Sequence, residues 1–239
     1  MKLRVYTACS GDPADYDEAR ALGAIGVLTN SNLVLELYGP QMTLKQSAQK
    51  MLDDSKDLLV FQSIHGQKAE DIVAKALDIH ELCPQRLGYK IACNVEGFKA
   101  MRELSQKGIR VIATAMFTYE QAYMAAVAGC YAISPFLGRG NKAGYDMCET
   151  IRSIRALYDR IEGPVPELLA ASIHDAGEAR AAFLAGADAV ACPLSVLKEM
   201  CCDPCSRETE EAFGAAFASI RGEDVSYLNL KNAGGDYQE

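Results

Sequence analysis

A (β/α)8 barrel is the fold class this sequence predicts, and three observations carry the prediction. The chain has 239 residues, close to the roughly 250 of a barrel of this kind. One unit recurs along it: a helical stretch, a glycine near its end, then a short apolar strand closed by a polar residue. No Gly/Ser/Pro-rich linker or low-complexity tract divides the sequence, so one core is the economical arrangement.

The elements follow in order. The first strand is Leu3 to Ala8. A helix from Asp15 to Leu22 stops at Gly23, and the apolar run 24–28 is closed by Thr29-Asn30. A helix from Leu44 to Asp54 precedes a strand from Leu58 to Gln62. A helix from Ala69 to Leu82 precedes a strand from Leu87 to Cys93. A helix from Glu96 to Gln106 stops near Gly108, and the strand 109–113 is closed by Thr114. A helix from Tyr119 to Val127 stops near Gly129, and the strand 130–133 is closed by Ser134-Pro135. A helix from Tyr145 to Tyr158 leads to a strand from Leu168 to Ser172. A helix from Ala176 to Leu184 stops near Gly186, and the strand 187–191 is closed by Cys192-Pro193. A final helix spans Glu208 to Ser219. Glycine takes the left-handed conformation after a helix without a Cβ penalty, and this helix–Gly–strand rhythm marks βα units on a parallel sheet. The rival is a doubly wound open sheet, which would show a glycine-rich phosphate fingerprint after its first strand. None stands there.

The hydrophobic fraction is 49%, enough for a sizeable core, and the net charge is -8. With no basic run and no aromatic-plus-basic patch, a nucleic-acid partner is not expected. No stretch approaches the roughly 18 apolar residues of a membrane span, and the N-terminus has no apolar signal core. The expectation is a cytoplasmic chain with no membrane partner. The nine cysteines read as reduced thiols. Cys201, Cys202 and Cys205 form the one cluster; it lacks a fourth ligand and a second paired motif, so it reads as a turn at a helix end and no metal is expected.

Lys90 is the residue that stands out. It interrupts the apolar strand Leu87-Gly88-Tyr89-Lys90-Ile91-Ala92-Cys93. Burying an ammonium is costly unless it is paired or loses its proton. A lysine that loses its proton is a nucleophile toward carbonyls. Barrel sites lie at the C-terminal strand ends, which here carry Asn30, Gln62, Lys90, Thr114, Ser134 and Ser172, with Phe136 and Arg139 close behind. The set suits a carbonyl or sugar substrate: one amine, several amides and hydroxyls, and one guanidinium. Arg139 lies in Leu137-Gly138-Arg139-Gly140-Asn141, read as a glycine-rich loop that offers backbone N–H groups and a guanidinium fork to an anion. His65 and His174 fall just past strand ends, and nothing in the sequence decides whether they face the site. Each residue also has a bland reading. Polar residues end strands wherever the chain leaves the core, a strand-end lysine can snorkel to water, and a surface arginine can serve a salt bridge.

Thr29-Asn30, Gln62, Lys90 with Val95-Glu96-Gly97, Thr114-Ala115, Ala128-Gly129, Ser134-Pro135-Phe136-Leu137-Gly138-Arg139, Ala170-Ala171-Ser172 and Pro193-Leu194 together resemble the transaldolase family, in its small fructose-6-phosphate aldolase and bacterial transaldolase branch. The resemblance covers nearly the whole chain. It implies a Schiff-base lysine at Lys90, a terminal phosphate held by Arg139 and Ser172, donor hydroxyls contacted by Asn30, and a relay water held by Gln62 and Thr114. It implies no cofactor and no metal. It also implies a homo-oligomer, a pentamer or a decamer of two five-membered rings, whose C-terminal helix (about residues 206–220) packs on a neighbouring subunit. The reaction implied is cleavage of the C3–C4 bond of a phosphorylated ketose such as fructose 6-phosphate, with the dihydroxyacetone unit transferred to an aldehyde or released.

Three departures accompany the resemblance. Tyr6 stands where the family carries a first-strand aspartate that handles the C4 hydroxyl proton, which makes Tyr6 the residue in the catalytic position. Gln62 is combined with Phe136, whereas aldolase-type members pair glutamine with a tyrosine there; losing that hydroxyl disfavours hydrolysis and favours transfer. Ser31 and Ala92 replace two prolines near the donor pocket. A sulfonated ketose, a non-catalytic barrel that binds a sugar phosphate, and a barrel lyase without a Schiff base stay open beside the main reading.

Overall fold

The computed structural model describes residues 4–221. Eight parallel strands close into a barrel in sequence order: β1 (Arg4–Ala8), β2 (Ala24–Leu28), β3 (Leu59–Ser63), β4 (Leu87–Ala92), β5 (Val111–Met116), β6 (Ala132–Pro135), β7 (Glu167–Ala170) and β8 (Ala189–Cys192). The helices are α1 (Pro13–Ala21), α2 (Ser31–Tyr38), α3 (Leu44–Asp54), α4 (Ala69–His80), α5 (Val95–Gln106), α6 (Tyr119–Ala128), α7 (Leu137–Lys142), α8 (Met147–Tyr158), α9 (Ala176–Leu184), α10 (Leu194–Cys201) and α11 (Pro204–Arg221). The described residues group into two compact units, one through Leu197 and one from Lys198 onward. The barrel belongs to the first. In the second, every described side chain of α11 is exposed.

The expected rhythm is the observed one. Gly23, Gly108, Gly129 and Gly186, the four junction glycines, all have positive φ, between 77° and 106°, the backbone turn that ends a helix and releases a strand. The helix starts are equally local. Asp12, Asn30, Thr43, Asn94, Thr118, Asp146 and Asp175 each accept a backbone N–H from the first turn that follows. Such caps contribute about 1 kcal/mol apiece.

Two apolar layers separate along the strands. Val27, Val60, Tyr89, Ile91, Val111, Ala113, Ile133 and Leu168 face the helices. Tyr6, Leu28, Phe61, Ile112, Ala132, Leu169 and Ala189 fill the inside of the barrel. The interior aromatics fit because small residues face them. A Cβ on Gly88 would lie 2.7 Å from the Phe61 ring, and one on Gly26 would lie 2.9 Å from the Tyr6 ring.

Three helices were not anticipated. α2 follows Asn30, which caps it; α10 follows Pro193. The third, α7, occupies the segment read as a glycine-rich loop, and its first N–H groups are consumed. Leu137 N donates to Ala171 O at 2.8 Å and Gly138 N to Ser172 O at 3.0 Å. Arg139 N donates to Ser172 Oγ at 3.2 Å. The backbone there locks onto the end of β7 instead of offering N–H groups to an anion.

Candidate active site

One cavity opens at the C-terminal ends of the strands, and Lys90 sits at the junction of its two lobes, of about 330 and 300 Å³. Asn30, Leu33, Lys90, Phe136 and Arg139 line both lobes. The larger adds Thr29, Ser172 and His174. The smaller adds Ser63, His65, Thr114 and Ala115.

Lys90 faces inward because β4 places it in register with Ser63 of β3 and Ile112 of β5, both on the inner surface. It is 7% exposed. Burial pulls its pKa down to about 8, and burial is the sole cause. With no neighbouring charge restoring the ammonium, a substantial share of the amine is neutral near physiological pH. At pH 7 the downward shift raises the neutral fraction roughly 300-fold over an ordinary lysine.

Around it, Thr114 Oγ1 is buried without a protein partner. Asn30 uses its Oδ1 to accept the Leu33 N–H at 3.0 Å, which leaves its amide N–H₂ to donate. Phe136 presents an apolar face, with the Arg139 guanidinium 5.5 Å from its ring centroid. Arg139 is exposed at the rim. Ser172 Oγ accepts the Arg139 backbone N–H, so its hydroxyl proton remains available to the cavity. Two non-glycine residues of the wall hold left-handed backbone, Ala115 at φ 52° and Ser172 at φ 57°, strain of a kind that concentrates at binding sites.

The structure brings Lys90, Asn30, Thr114, Phe136, Arg139 and Ser172 together, and it moves three expected residues away from the wall. Tyr6 faces the interior, but its hydroxyl points to the N-terminal end of the barrel. It donates to Glu167 Oε2 at 2.7 Å, and Arg4 pairs with the same carboxylate group at 3.2 Å. Burial first, then hydrogen bonds to Tyr131 and Glu167, push its phenol far above the usual value, so Tyr6 is a plug, not a base. Gln62 is in register with Tyr89, whose hydroxyl donates outward to Ala76 O of α4 at 2.7 Å. Gln62 therefore faces the helical layer, fully buried with Oε1 unpartnered, and the inward residue at this strand end is Ser63. Ser134 shares the inward parity of Ala132 and is fully buried with its hydroxyl unpartnered, but it is not part of the cavity wall.

Sequence reading missed Ser63 and the His174–Glu178 pair, whose Nδ1 and Oε2 atoms are 2.9 Å apart. Two adjacent polar residues at the end of a strand buried on both faces give no parity signal. The spacing of His174 and Glu178, four residues apart where a strand gives way to a helix, was the available cue for the pair. Among the described residues no cluster of three or more His, Cys, Asp or Glu could hold a metal ion, and no helix is long and apolar enough to cross a membrane.

A closed parallel barrel with a buried lysine at the floor of its mouth and a guanidinium at the rim has the architecture of a barrel enzyme. The comparisons name the family. The family model described as Transaldolase/Fructose-6-phosphate aldolase matches residues 17–232. A protein of Chelativorans sp. (strain BNC1) named "Probable transaldolase" is 32% identical over 213 residues, covering 87% of this chain and 94% of that one. Another so named, from Dinoroseobacter shibae, is 34% identical over 201 residues, covering 84% and 88%. The chain belongs to the transaldolase/fructose-6-phosphate aldolase family. The solved structure of thiamine phosphate pyrophosphorylase from Pyrococcus furiosus, 17% identical with a TM-score of 0.53 over 82% of this chain and 87% of that one, shares the fold.

Proposed function

We propose that this enzyme is a Schiff-base aldolase or transaldolase for a phosphorylated ketose of the fructose 6-phosphate kind, with the aldehyde-transfer reaction favoured over release. The observation that carries the reading is Lys90: an amine pulled down to about 8 by burial alone, exposed only toward a cavity with a guanidinium at its rim. Neutral Lys90 attacks the C2 carbonyl and loses water to form an iminium. The C3–C4 bond then breaks with its electron pair drawn into the iminium, leaving a three-carbon enamine on the lysine and an aldehyde at the former C4 as its hydroxyl proton departs. Arg139 and the Ser172 hydroxyl would hold the terminal phosphate, and the Asn30 amide would donate to a hydroxyl of the three-carbon unit. A sulfonate would meet the same guanidinium.

Transfer is favoured because the wall offers little to hold a hydrolytic water. Phe136 lacks a hydroxyl, and Ser63 Oγ already donates to Thr29 O at 3.0 Å. Thr114 Oγ1 is the free group. We also propose a cytoplasmic homo-oligomer, pentamer or decamer, with α11 as the packing element; Phe213 there is 70% exposed, which an assembly would cover.

Borohydride trapping tests the reaction. Incubation with dihydroxyacetone or fructose 6-phosphate and borohydride, followed by peptide mass spectrometry, should label Lys90, and Lys90→Met should remove both label and turnover. A panel of ketoses that leaves Lys90 unlabelled would refute the reading. Light scattering on the full chain and on a chain ending before α11 tests the assembly.

A further inference from the structure

Carbon–carbon cleavage on a lysine iminium needs a group that takes the hydroxyl proton as the bond breaks. Among the described residues no aspartate or glutamate lines either lobe of the cavity, and the Tyr6 phenol is turned to the other end of the barrel. Besides Lys90 and the permanently charged Arg139, the titratable residues of the wall are Cys192, His65 and His174. Burial pushes the Cys192 thiol up to about 12, which removes it as a base at neutral pH. Two imidazoles remain, the side chain best suited to proton transfer there.

They differ in how they are held. Glu178 Oε2 lies 2.9 Å from His174 Nδ1 and also accepts the His174 backbone N–H at 2.8 Å. Glu178 is fixed in turn, because its own N–H donates to Asp175 Oδ1 at 2.7 Å in the first turn of α9. The other wall of the ring is Gly138, where an added Cβ would lie 2.5 Å from Nδ1 and 2.6 Å from Cε1. Nδ1 is thus committed to a carboxylate and the ring orientation is set, leaving Nε2 for chemistry. This is the base-plus-orienting-group arrangement of proton-transfer sites. The described contacts of His65 include no partner for its ring; its backbone O accepts from Lys75.

We propose that His174, oriented by Glu178, is the acid–base residue of the Lys90 reaction; this rests on the Schiff-base reading above. In cleavage, Nε2 takes the C4 hydroxyl proton as the C3–C4 electron pair moves into the iminium, giving enamine, aldehyde and imidazolium. In transfer, the enamine carbon attacks the acceptor aldehyde and the imidazolium returns that proton to the new alkoxide, so His174 ends as it began. The charged and titratable groups around the ring are Glu178 and Asp175 of α9, Arg139 of α7, and Lys90 across the cavity. A protonated His174 beside ionised Glu178 forms a pair of no net charge, so the pair adds little to the pull of Arg139 on an anion.

The test compares wild type with His174→Gln, Glu178→Gln and His65→Gln on fructose 6-phosphate and on unphosphorylated fructose, with pH profiles of kcat and KM, and with borohydride trapping of dihydroxyacetone, which involves no bond cleavage. His174→Gln should still trap dihydroxyacetone at Lys90, showing an intact site, while kcat falls roughly 10²–10⁴-fold on both ketoses and the acid limb of the profile disappears. Glu178→Gln should lower kcat with KM little changed. His65→Gln should lower kcat far less than His174→Gln does. The proposal is overturned if His174→Gln keeps wild-type kcat, if its defect is confined to KM for the phosphorylated donor, or if His65→Gln produces the loss instead. Absence of trapping in wild type would overturn the Lys90 reading, and His174's role with it, before any kinetics are compared.

Discussion

Lys90→Met should make the protein more stable, by an amount that depends on pH in a defined way. The substitution keeps an unbranched side chain of similar length and removes the ammonium. In the folded state burial lowers the lysine pKa from 10.5 to about 8; in the unfolded chain it regains its ordinary value. Between those two pH values the unfolded state holds a proton that the folded state has lost, so stability rises with pH across this window. Below it both states are protonated and the whole penalty is present. The shift corresponds to about 3 kcal/mol. Lys90→Met should therefore gain about 3 kcal/mol at pH 7, roughly 6–12 °C in Tm for a chain this size, with the gain shrinking toward zero as pH rises past the unfolded value. Differential scanning calorimetry and urea titrations of both proteins from pH 7 to 10.5 measure it, and taking the difference cancels the other titrating groups. No gain at pH 7, or a gain that does not change with pH, would refute the claim that burial lowers the Lys90 pKa.

Three further outcomes follow from the geometry. Tyr6→Phe removes the donor to half-buried Glu167 and should cost about 1–3 kcal/mol in urea unfolding while leaving kcat near wild type; a large fall in kcat would return Tyr6 to the chemistry. Gln62→Met replaces a buried amide whose Oε1 has no partner, so unfolding should show it neutral or stabilised and steady-state assays should show turnover retained, whereas a collapse of turnover would mean that Gln62 reaches the cavity. Arg139→Gln should raise KM for a phosphorylated ketose roughly 10–150-fold, the worth of hydrogen bonds to a charged group, with little change for its unphosphorylated counterpart; equal effects on both would deny Arg139 the anion.

The barrel was legible because its signals are local. Each junction glycine is needed by a single backbone turn, each cap serves its own helix, and the eight apolar runs recur at the spacing of βα units. Lys90 was legible for a related reason: a charge inside an apolar run is anomalous whatever surrounds it. The inward or outward facing of a residue was not legible. In a barrel strand covered on both faces, apolar residues point both ways, and the alternation that would expose parity is silent. Gln62 and Ser63 were thus indistinguishable until their register with Tyr89 and Lys90 put one among the helices and the other at the cavity. Tyr6 has inward parity, yet the length of its ring carries the hydroxyl down to Glu167, a partner 161 residues away in the chain. α7 formed where a loop was expected because the end of β7 takes its first N–H groups. Sequence alone determined the fold and singled out Lys90 and Arg139, since each depends on residue type and near neighbours. The tertiary structure decided which polar side chains reach Lys90 and set His174 against Glu178 at the cavity, because strand register and the packing of a helix on a distant strand end are properties of the closed barrel.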